Sequence, residues 1–215
     1  MNKTFSVIIP TYKEPAHLDL CLRSCIEGAA GEPEIIVVVD GFYDLNKEVL
    51  RKYPEVKIIN FERNKGLSIA TNLGVYYASN EFILIVNDDN VFPHNWDQEL
   101  SKDLAPRRVL TPNQIEPSPS IFSQFIIENL GVDPTIFDLK RFWEREKKLR
   151  QNIIDNSGTT LPFAMGRVDF LMMGGWDELY PSPHVVDVDF FLKCQYFQFD
   201  MQRTYKANFY HFGCV

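Results

Sequence analysis

The sequence has no apolar run long enough to cross a membrane and no recognisable signal peptide. No stretch of its 215 residues approaches the ~18 consecutive apolar residues of a membrane-spanning helix. The apolar stretch near the N-terminus ends at Pro10 after only about five residues, which is too short for a signal-peptide core. We therefore expect a cytoplasmic protein without a transmembrane segment. Peripheral contact with a membrane surface is compatible with this expectation.

Cysteines and basic residues are both few. The 4 cysteines include no C-x-x-C pair, which argues against a zinc site or a disulfide framework, and Cys21 and Cys25 have the spacing of a helix face. Lysine and arginine number 22 against 29 acids, for a net charge of −7. This balance argues against general electrostatic binding to nucleic acid and suits a site for a divalent cation. With 45% hydrophobic and 24% charged residues, the chain as a whole is not disordered.

Strand and helix patterns alternate along the first ninety residues. Short, nearly wholly apolar runs predict four strands, and apolar residues at helical spacing predict three helices between them. The strands cover residues 5–9, 34–39, 56–59 and 82–86, and the helices cover 16–28, 44–53 and 67–78. Apolar strands joined by helices indicate an α/β fold whose mostly parallel sheet is covered on both faces. Ligands of such sheets bind beyond the carboxyl ends of the strands.

After Pro93 the pattern becomes less regular. Three prolines predict a loop or a sheet edge over 110–119, and a helix is expected over 121–130. An amphipathic helix is predicted over 138–152, whose basic residues form a solvated face or, alternatively, dock an anionic acceptor or a membrane surface. Residues 155–160 are expected to form a loop. No internal repeat divides the chain, so we expect a single domain over 1–215.

The sequence Asn87-Asp88-Asp89-Asn90 follows the fourth predicted strand. Adjacent acids at the end of a buried strand repel each other and lose hydration, and a divalent metal would offset both costs. Hard oxygen ligands of this kind suit Mg²⁺ or Mn²⁺. A plain turn remains the alternative, because Asn and Asp are common turn residues.

Two further candidates lie near the end of the chain. Asp187 precedes the apolar run that begins at Phe190, where a carboxylate can cap a helix, but Asp189 two residues later is harder to explain in that way. His211 lies in the aromatic sequence Phe209-Tyr-His-Phe212, where a packed histidine and a ligand are both open interpretations.

Taken together, these segments resemble the GT-A-fold glycosyltransferases of family 2, which are inverting enzymes that use nucleotide sugars. Four segments carry the resemblance in the family's order. They are Ser6–Glu14, similar to the opening strand and nucleotide-binding turn; Asn64–Gly74, similar to N-x-G…A-R-N-x-G; Phe82–Pro93, similar to the strand that leads into the D-x-D motif; and Gly174–Asp189 with His211 beyond it, similar to G-G-[FW]-D-E…[ED]-D-x-D and the C-terminal histidine.

The resemblance implies a role for each matching residue. Residues 1–93 would bind the nucleotide, and 94–215 the acceptor, with 110–160 forming much of the acceptor side. The nucleotide pocket would contain Pro10, Thr11, Tyr12, Glu14, Asp40, Lys65, Gly66 and Asp88. Asp89 and His211 would hold Mn²⁺ or Mg²⁺, and Asp187 would be the general base. Trp176 and Asp177 would bind the acceptor, although core packing is an equal alternative for Trp176.

Family frequency favours a UDP-linked donor, and the acceptor implied is a glycan, a lipid-linked sugar, a protein or a modified nucleic-acid base.

The chain departs from the family pattern at Val39, Thr71, Asn87 and Val186. These departures keep a catalytically inactive nucleotide-sugar-binding module open as an alternative. A sugar nucleotidyltransferase is a second alternative, but residues 10–14 are not the Gly-rich, basic loop that such enzymes place after the first strand. The absence of a Q-x-x-R-W segment favours transfer of one or a few sugars over processive synthesis.

Overall fold

The computed structural model of the protein describes residues 4–120, 123–180 and 185–213. Within these ranges a 10-stranded sheet has the order β3-β2-β1-β4-β9-β6-β10-β5, with β7 paired to β6 and β8 paired to β10. The strands are β1 Phe5–Thr11, β2 Glu34–Asp40, β3 Lys57–Phe61, β4 Phe82–Ile85, β5 Asn90–Val91, β6 Arg108–Glu116, β7 Ile126–Ile127, β8 Ile154–Asp155, β9 Phe163–Gly166 and β10 Asp200–His211. The helices are α1 Pro15–Gly28, α2 Tyr43–Leu50, α3 Leu67–Tyr77, α4 Trp96–Asp103, α5 Leu139–Leu149, α6 Arg167–Met172 and α7 Val186–Tyr196, with a short 3₁₀ helix at Pro134–Ile136.

The first half of the chain forms the predicted parallel unit. β1 pairs in parallel with β2 and β4, and β2 pairs in parallel with β3. Apolar residues on one face of these strands pack with α1, α2 and α4, and those on the other face pack with α3, α6 and α7. Because β1, β2 and β4 are buried on both faces, their residues are nearly all apolar without alternation, whereas β3 at the sheet edge is partly exposed. The four predicted strands and three predicted helices are therefore confirmed, with small differences at their ends.

The second half makes the sheet mixed. β9 lies antiparallel between β4 and β6, β10 runs parallel to β6, and β5 pairs antiparallel with the end of β10. All these strands belong to the same sheet as the first half, so the sequence-based prediction of a mostly parallel α/β sheet flanked by helices is confirmed. This arrangement brings the end of β10 beside the residues that follow β4.

The prediction of a loop or edge over 110–119 was wrong for 110–116, whereas 117–119 form no helix or strand. Residues Arg108–Glu116 form β6, an interior strand between β9 and β10. Proline is normally excluded from interior strands because it cannot donate a ladder hydrogen bond. Pro112 lies opposite Thr204, where the register between β10 and β6 shifts before Asn208, so the ladder is already irregular at that point.

The helix predicted over 121–130 was also wrong for its described part, 123–130; residues 121–122 lie outside the described ranges. This part contains β7, which pairs in parallel with the end of β6. Its apolar residues match helical spacing, but backbone pairing with β6 decides the conformation. The helix predicted over 138–152 is confirmed as α5, which Asp138 caps by accepting a hydrogen bond from the backbone N of Arg141 at 3.0 Å.

Most basic residues of α5 are exposed, as expected for a solvated face. Glu146, an acidic residue of the same helix, is fully buried and pairs with Arg150 at 2.7 Å. Residues 156–160 form no helix or strand, in agreement with the predicted loop. None of the helices in the described ranges is long and apolar enough to cross a membrane.

Candidate active site

A cleft of about 770 Å³ opens beyond the carboxyl ends of β1, β2 and β4. This is the edge at which ligands of parallel sheets bind. All eight residues predicted for the nucleotide pocket line it: Pro10, Thr11, Tyr12, Glu14, Asp40, Lys65, Gly66 and Asp88. The sequence analysis did not assign other lining residues to this pocket, among them Asn64, Asn87, Glu178 and Tyr180. We call this space the first cleft.

Asp40 builds one wall of the first cleft by holding the loop before α3. Its carboxylate accepts hydrogen bonds from Asn64 Nδ2 at 2.9 Å, from the backbone N of Lys65 at 2.6 Å and from the backbone N of Gly66 at 2.9 Å. Gly66 has a φ of +98°, which favours glycine at this position. The Asp40 side chain is buried, so these bonds replace the water that it loses. Asp40 therefore positions the loop that begins α3.

Aromatic and basic side chains lie at the mouth of the first cleft. Tyr12, which is 40% exposed, packs edge-on against Phe42 with ring centroids 5.1 Å apart. Lys13 Nζ lies over both rings, 4.7 Å from the centroid of Tyr12 and 4.3 Å from that of Phe42. This exposed aromatic and cationic group can contact a planar base and its phosphates.

Thr11 and Asp88 form the floor of the first cleft. Thr11 Oγ1 donates a hydrogen bond of 2.6 Å to Asp88 Oδ2 and so joins the end of β1 to the segment after β4. Burial and the neighbouring charge of Asp89 raise the pKa of Asp88 to about 7, although the bond from Thr11 opposes this rise. The clustering of acids predicted from the sequence is therefore present.

Asp89 and His211 lie in direct contact. His211 Nε2 is 3.2 Å from Asp89 Oδ2, and His211 Nδ1 is 3.0 Å from Glu116 Oε1. Burial by itself lowers the pKa of His211, but hydrogen bonds to Asp89 and Glu116 outweigh it and raise that pKa to about 10. Glu116, at the end of β6, was missed by the sequence reasoning because its strand was predicted as a loop.

The fit of this cluster to a metal ion is partial. Asp89 Oδ1 is buried and has no hydrogen-bond partner among the described residues, so it can still bind a cation. His211 and Asp89 supply the nitrogen and oxygen ligands that Mn²⁺ accepts. Within the described ranges, however, no three His, Cys, Asp or Glu side chains are arranged to hold a metal ion. The two predicted ligands are adjacent, and no third protein ligand joins them in the part of the chain that the structure describes.

A second cavity of about 960 Å³ adjoins the first cleft, and Leu67 and Asn87 line both spaces. Asp187, the predicted base, lines this second cavity from the first turn of α7. His211 and Glu116 line it too. Asp187 Oδ1 accepts a hydrogen bond of 2.9 Å from the backbone N of Val188. The structure thus brings Asp187 and His211 to one cavity, beside the cleft that holds the predicted nucleotide residues.

The structure does not bring Trp176 or Asp177 to either space. Trp176 is 1% exposed and packs in the core with α3, α6 and α7, so its ring cannot stack on an acceptor in this conformation. Its backbone is held by Asn72, which accepts from Trp176 N at 2.9 Å and donates to Trp176 O at 2.8 Å. Asp177 Oδ1 accepts from the backbone N of Leu179 at 2.9 Å. Core packing, the alternative interpretation of Trp176, fits the structure.

Three of the four departures from the family pattern lie away from the site. Val39, Thr71 and Val186 are each 0% exposed, and none of them lines the first cleft or the second cavity. Asn87 is different, because it lies between the two spaces. Only this departure places a changed side chain at the predicted reaction centre.

The comparisons with known proteins agree with this geometry. The family model for Glycosyl transferase family 2 matches residues 6–169. The chain belongs to glycosyl transferase family 2. Among its relatives is the uncharacterized glycosyltransferase YibD of Escherichia coli K12, which is 34% identical over 100 residues, or 43% of this chain and 29% of YibD. This family 2 chain therefore spans less than a third of that relative.

Solved structures show the same fold. Staphylococcus aureus TarS has a TM-score of 0.72 at 19% identity, over 97% of this chain and 36% of TarS. GalNAc-T7, solved with UDP, GalNAc and Mn²⁺, has a TM-score of 0.68 at 16% identity, over 97% of this chain and 43% of its own. These likenesses confirm the GT-A fold for this family 2 member.

Proposed function

We propose that this family 2 member is a glycosyltransferase that moves a sugar from a UDP-linked donor to an acceptor hydroxyl with inversion at the anomeric carbon. One observation carries the proposal: the cleft lined by all eight predicted nucleotide residues and the cavity lined by Asp187 share Leu67 and Asn87. A donor in the first cleft and an acceptor in the second cavity would therefore meet at this boundary.

The nucleotide would occupy the first cleft. The exposed ring of Tyr12 offers a stacking surface for a base, and Lys13 and Lys65 offer positive charge for a diphosphate. Asp40 keeps Lys65 and Gly66 in place, so its contribution to donor binding is one of positioning. The likeness to GalNAc-T7, which was solved with UDP and Mn²⁺, supports a uridine nucleotide and this metal.

Asp89 and His211 are the residues that would hold the metal. A bound Mn²⁺ or Mg²⁺ would supply positive charge that stabilises the leaving diphosphate. The unpartnered Asp89 Oδ1 supports this assignment. Glu116 Oε1 lies 3.0 Å from the other ring nitrogen, His211 Nδ1, and so fixes the orientation of the ring.

Asp187 would act as the general base. The acceptor oxygen forms a bond to the anomeric carbon while the bond from that carbon to the nucleoside diphosphate breaks, and the hydroxyl proton passes to the Asp187 carboxylate. A single displacement of this kind inverts the anomeric configuration. The placement of Asp187 at the start of α7, half-buried in the second cavity, supports this role.

The acceptor side would include residues from 110–160, as the sequence analysis expected. Gln114, Glu116, Phe125 and Thr160 line the second cavity. We place this proposed chemistry in the cytoplasm.

A catalytically inactive nucleotide-sugar-binding module is a second candidate, supported by Asn87 at the boundary of the two spaces and by the lack of a three-residue metal cluster among the described residues. A sugar nucleotidyltransferase has no such support. Donor turnover separates the candidates, because an inactive module binds a donor without cleaving it.

The test combines binding with turnover. Melting temperature is measured with UDP, GDP, UDP-glucose and UDP-galactose, each with and without Mn²⁺, since a ligand that binds only the folded protein raises the melting temperature. Release of UDP from each UDP-sugar is then measured with the same protein. We expect UDP with Mn²⁺ to give the largest shift and at least one donor to release UDP. Binding without release would support the inactive module, and no binding of any nucleotide would refute both.

A further inference from the structure

Phe42 has a backbone conformation that is unfavourable for a residue with a side chain. It lies between β2 and α2 with φ +58° and ψ +37°, in the left-handed region that favours glycine. Phe42 is 46% exposed, so burial in the core does not explain why it is held there. Strained residues of this kind persist where the surrounding structure holds them, and they cluster at functional sites. Phe42 follows Asp40, which lines the first cleft, by two positions.

The contacts of the Phe42 ring lead to the first cleft. Its ring and that of Tyr12 meet edge to face, with an interplanar angle of 87°. Lys13 Nζ lies close to both rings, nearer to the centroid of Phe42 than to that of Tyr12. Tyr12 and Lys13 both line the first cleft, whereas Phe42 is not among its lining residues. Phe42 therefore contacts two residues of the cleft without forming part of its wall.

Helix α2, which begins directly after Phe42, also holds the backbone of Tyr12. Asn46 on this helix is 0% exposed and donates a hydrogen bond from Nδ2 to Tyr12 O at 3.2 Å. This bond fixes the Tyr12 backbone but leaves its side chain free to change rotamer. The contact with the Phe42 ring restricts that freedom, because edge-to-face aromatic pairs are stabilised beyond their burial. An ammonium group close to both rings is attracted to them as well.

We propose that Phe42 is a positioning residue for the nucleotide, whose ring holds the Tyr12 ring and the Lys13 ammonium in place at the mouth of the first cleft. This inference rests on the proposed binding of a nucleotide donor in that cleft. Side chains that are already ordered lose less conformational entropy when a ligand binds, so the affinity for the ligand rises. The strained backbone of Phe42 is then retained because it brings the ring to Tyr12 and Lys13.

Three substitutions of Phe42 separate the ring from the backbone strain. Glycine adopts the left-handed conformation without strain, so Phe42→Gly should melt at a higher temperature than Phe42→Ala. Both variants lack the ring, so calorimetric titration of UDP in the presence of Mn²⁺ should show the same loss of affinity in both, about tenfold. Phe42→Tyr keeps an aromatic ring and should bind UDP within about twofold of the wild type. A UDP affinity that follows the melting temperature instead of the presence of the ring would show a structural role and overturn the inference.

A double-mutant cycle tests whether Phe42 acts through Tyr12. UDP affinity is measured for Tyr12→Ala, for Phe42→Ala and for the protein that carries both substitutions. If Phe42 serves to hold the Tyr12 ring, its removal should matter little once that ring is gone, and the combined loss should be much smaller than the product of the two single losses. Losses that multiply would show that the two rings act independently, and would refute the positioning role.

Gln198→Gly is the matched control. Gln198 is exposed, has the same φ of +58° as Phe42, and lines neither the first cleft nor the second cavity. This variant should leave the affinity for UDP unchanged, and a loss equal to that of Phe42→Gly would refute the inference. Wild-type protein that binds UDP no more tightly than Phe42→Gly and Phe42→Ala refutes the role of Phe42 alone. Wild-type protein that binds no nucleotide refutes the donor site on which the inference rests.

Discussion

Thr11 and Asp88, which lie 77 positions apart in the chain, are joined by a hydrogen bond of 2.6 Å from Thr11 Oγ1 to Asp88 Oδ2. The bond connects the end of β1 to the segment after β4 at the floor of the first cleft. Thr11 is 3% exposed, so water does not compete freely for this contact. The pair therefore links the stability of the sheet to the shape of the proposed donor site.

The first prediction concerns this bond. Thr11→Val keeps the side-chain shape but removes the donor, and we expect the free energy of unfolding to fall by about 1–3 kcal/mol because a buried carboxyl loses its partner. Thr11→Ser keeps the hydroxyl and should cost less than about 1 kcal/mol, as expected for loss of one methyl group. Urea unfolding of the three proteins checks both values. Equal stability of the valine and wild-type proteins would show that the bond contributes nothing.

The second prediction concerns Asp40. Asp40→Asn replaces one carboxylate oxygen with an amide group that cannot accept from the loop N–H groups, so the segment 64–66 should lose its fixed conformation. We expect the affinity for UDP to fall about 10- to 100-fold, equivalent to about 1.4–2.8 kcal/mol. The matched control is Asp44→Asn, since Asp44 has an 88% exposed side chain that pairs only with Lys47 at 3.0 Å among its described ion pairs. Calorimetric titration of UDP decides the result, and equal losses in both variants would contradict the assigned role.

The third prediction concerns Asp187. Asp187→Asn removes the proposed base and should lower turnover by about 10²–10⁴-fold. Donor binding should change less than about twofold, because Asp187 lies in the second cavity and not in the first cleft. Asp189→Asn, two residues later on α7, is the control; its side chain pairs with Lys193 at 2.7 Å and lines neither space. If Asp187→Asn retained wild-type turnover, another group would have to be the base.

The fourth prediction concerns the metal. Treatment with EDTA should stop UDP release, and excess Mn²⁺ should restore it, because the leaving diphosphate would lose its compensating charge. The melting temperature without nucleotide should stay nearly constant, since the 3.2 Å contact between His211 Nε2 and Asp89 Oδ2 holds the two side chains together. Full turnover in excess EDTA would remove the metal from the proposal.

The fifth prediction concerns stability at acid pH. Burial by itself raises the pKa of Glu34, but hydrogen bonds from Lys57, Ser6 and Ser79 outweigh it and lower that pKa to about 2. A carboxyl group whose pKa is lower in the folded protein stabilises the fold above its unfolded value of 4.5, and this contribution is lost as the pH falls from 4.5 towards 2.

Glu34→Gln should therefore be less stable than the wild type by about 1–3 kcal/mol at pH 7, and the difference should shrink steadily below pH 4.5. Thermal unfolding between pH 7 and pH 2.5 measures this trend. Glu48→Gln is the control, because Glu48 has a 68% exposed side chain in its pair with Arg51. A difference for Glu34→Gln that does not depend on pH would exclude the ionised Glu34 as its source.

The first cleft could be predicted from the sequence because its residues follow strands that are easy to recognise. β1, β2 and β4 are short apolar runs that end in polar residues such as Thr11 and Asp40. Once these strands are placed in parallel, their carboxyl ends meet, and the cleft follows. The eight nucleotide residues were named correctly as lining one space, although their binding role remains a proposal.

The second cavity could not be predicted in the same way. Its walls include residues of β5, β6, β10 and α7. β6 carries Pro112, and a proline predicts a loop or a sheet edge when only neighbouring residues are considered. The parallel pairing of β10 with β6 makes residues 108–116 an interior strand, and only this long-range contact brings Gln114 and Glu116 to the site. The burial of Trp176 could not be predicted either, because a tryptophan that follows two glycines occurs both at protein surfaces and in cores.

Leu67 is the first residue of α3, directly after the loop that Asp40 holds, and it also lines the second cavity. A nucleotide that tightens this loop would therefore adjust the wall against which the other substrate rests. Occupation of either space would then change the affinity of the other by the same factor, because coupling between two binding sites is reciprocal.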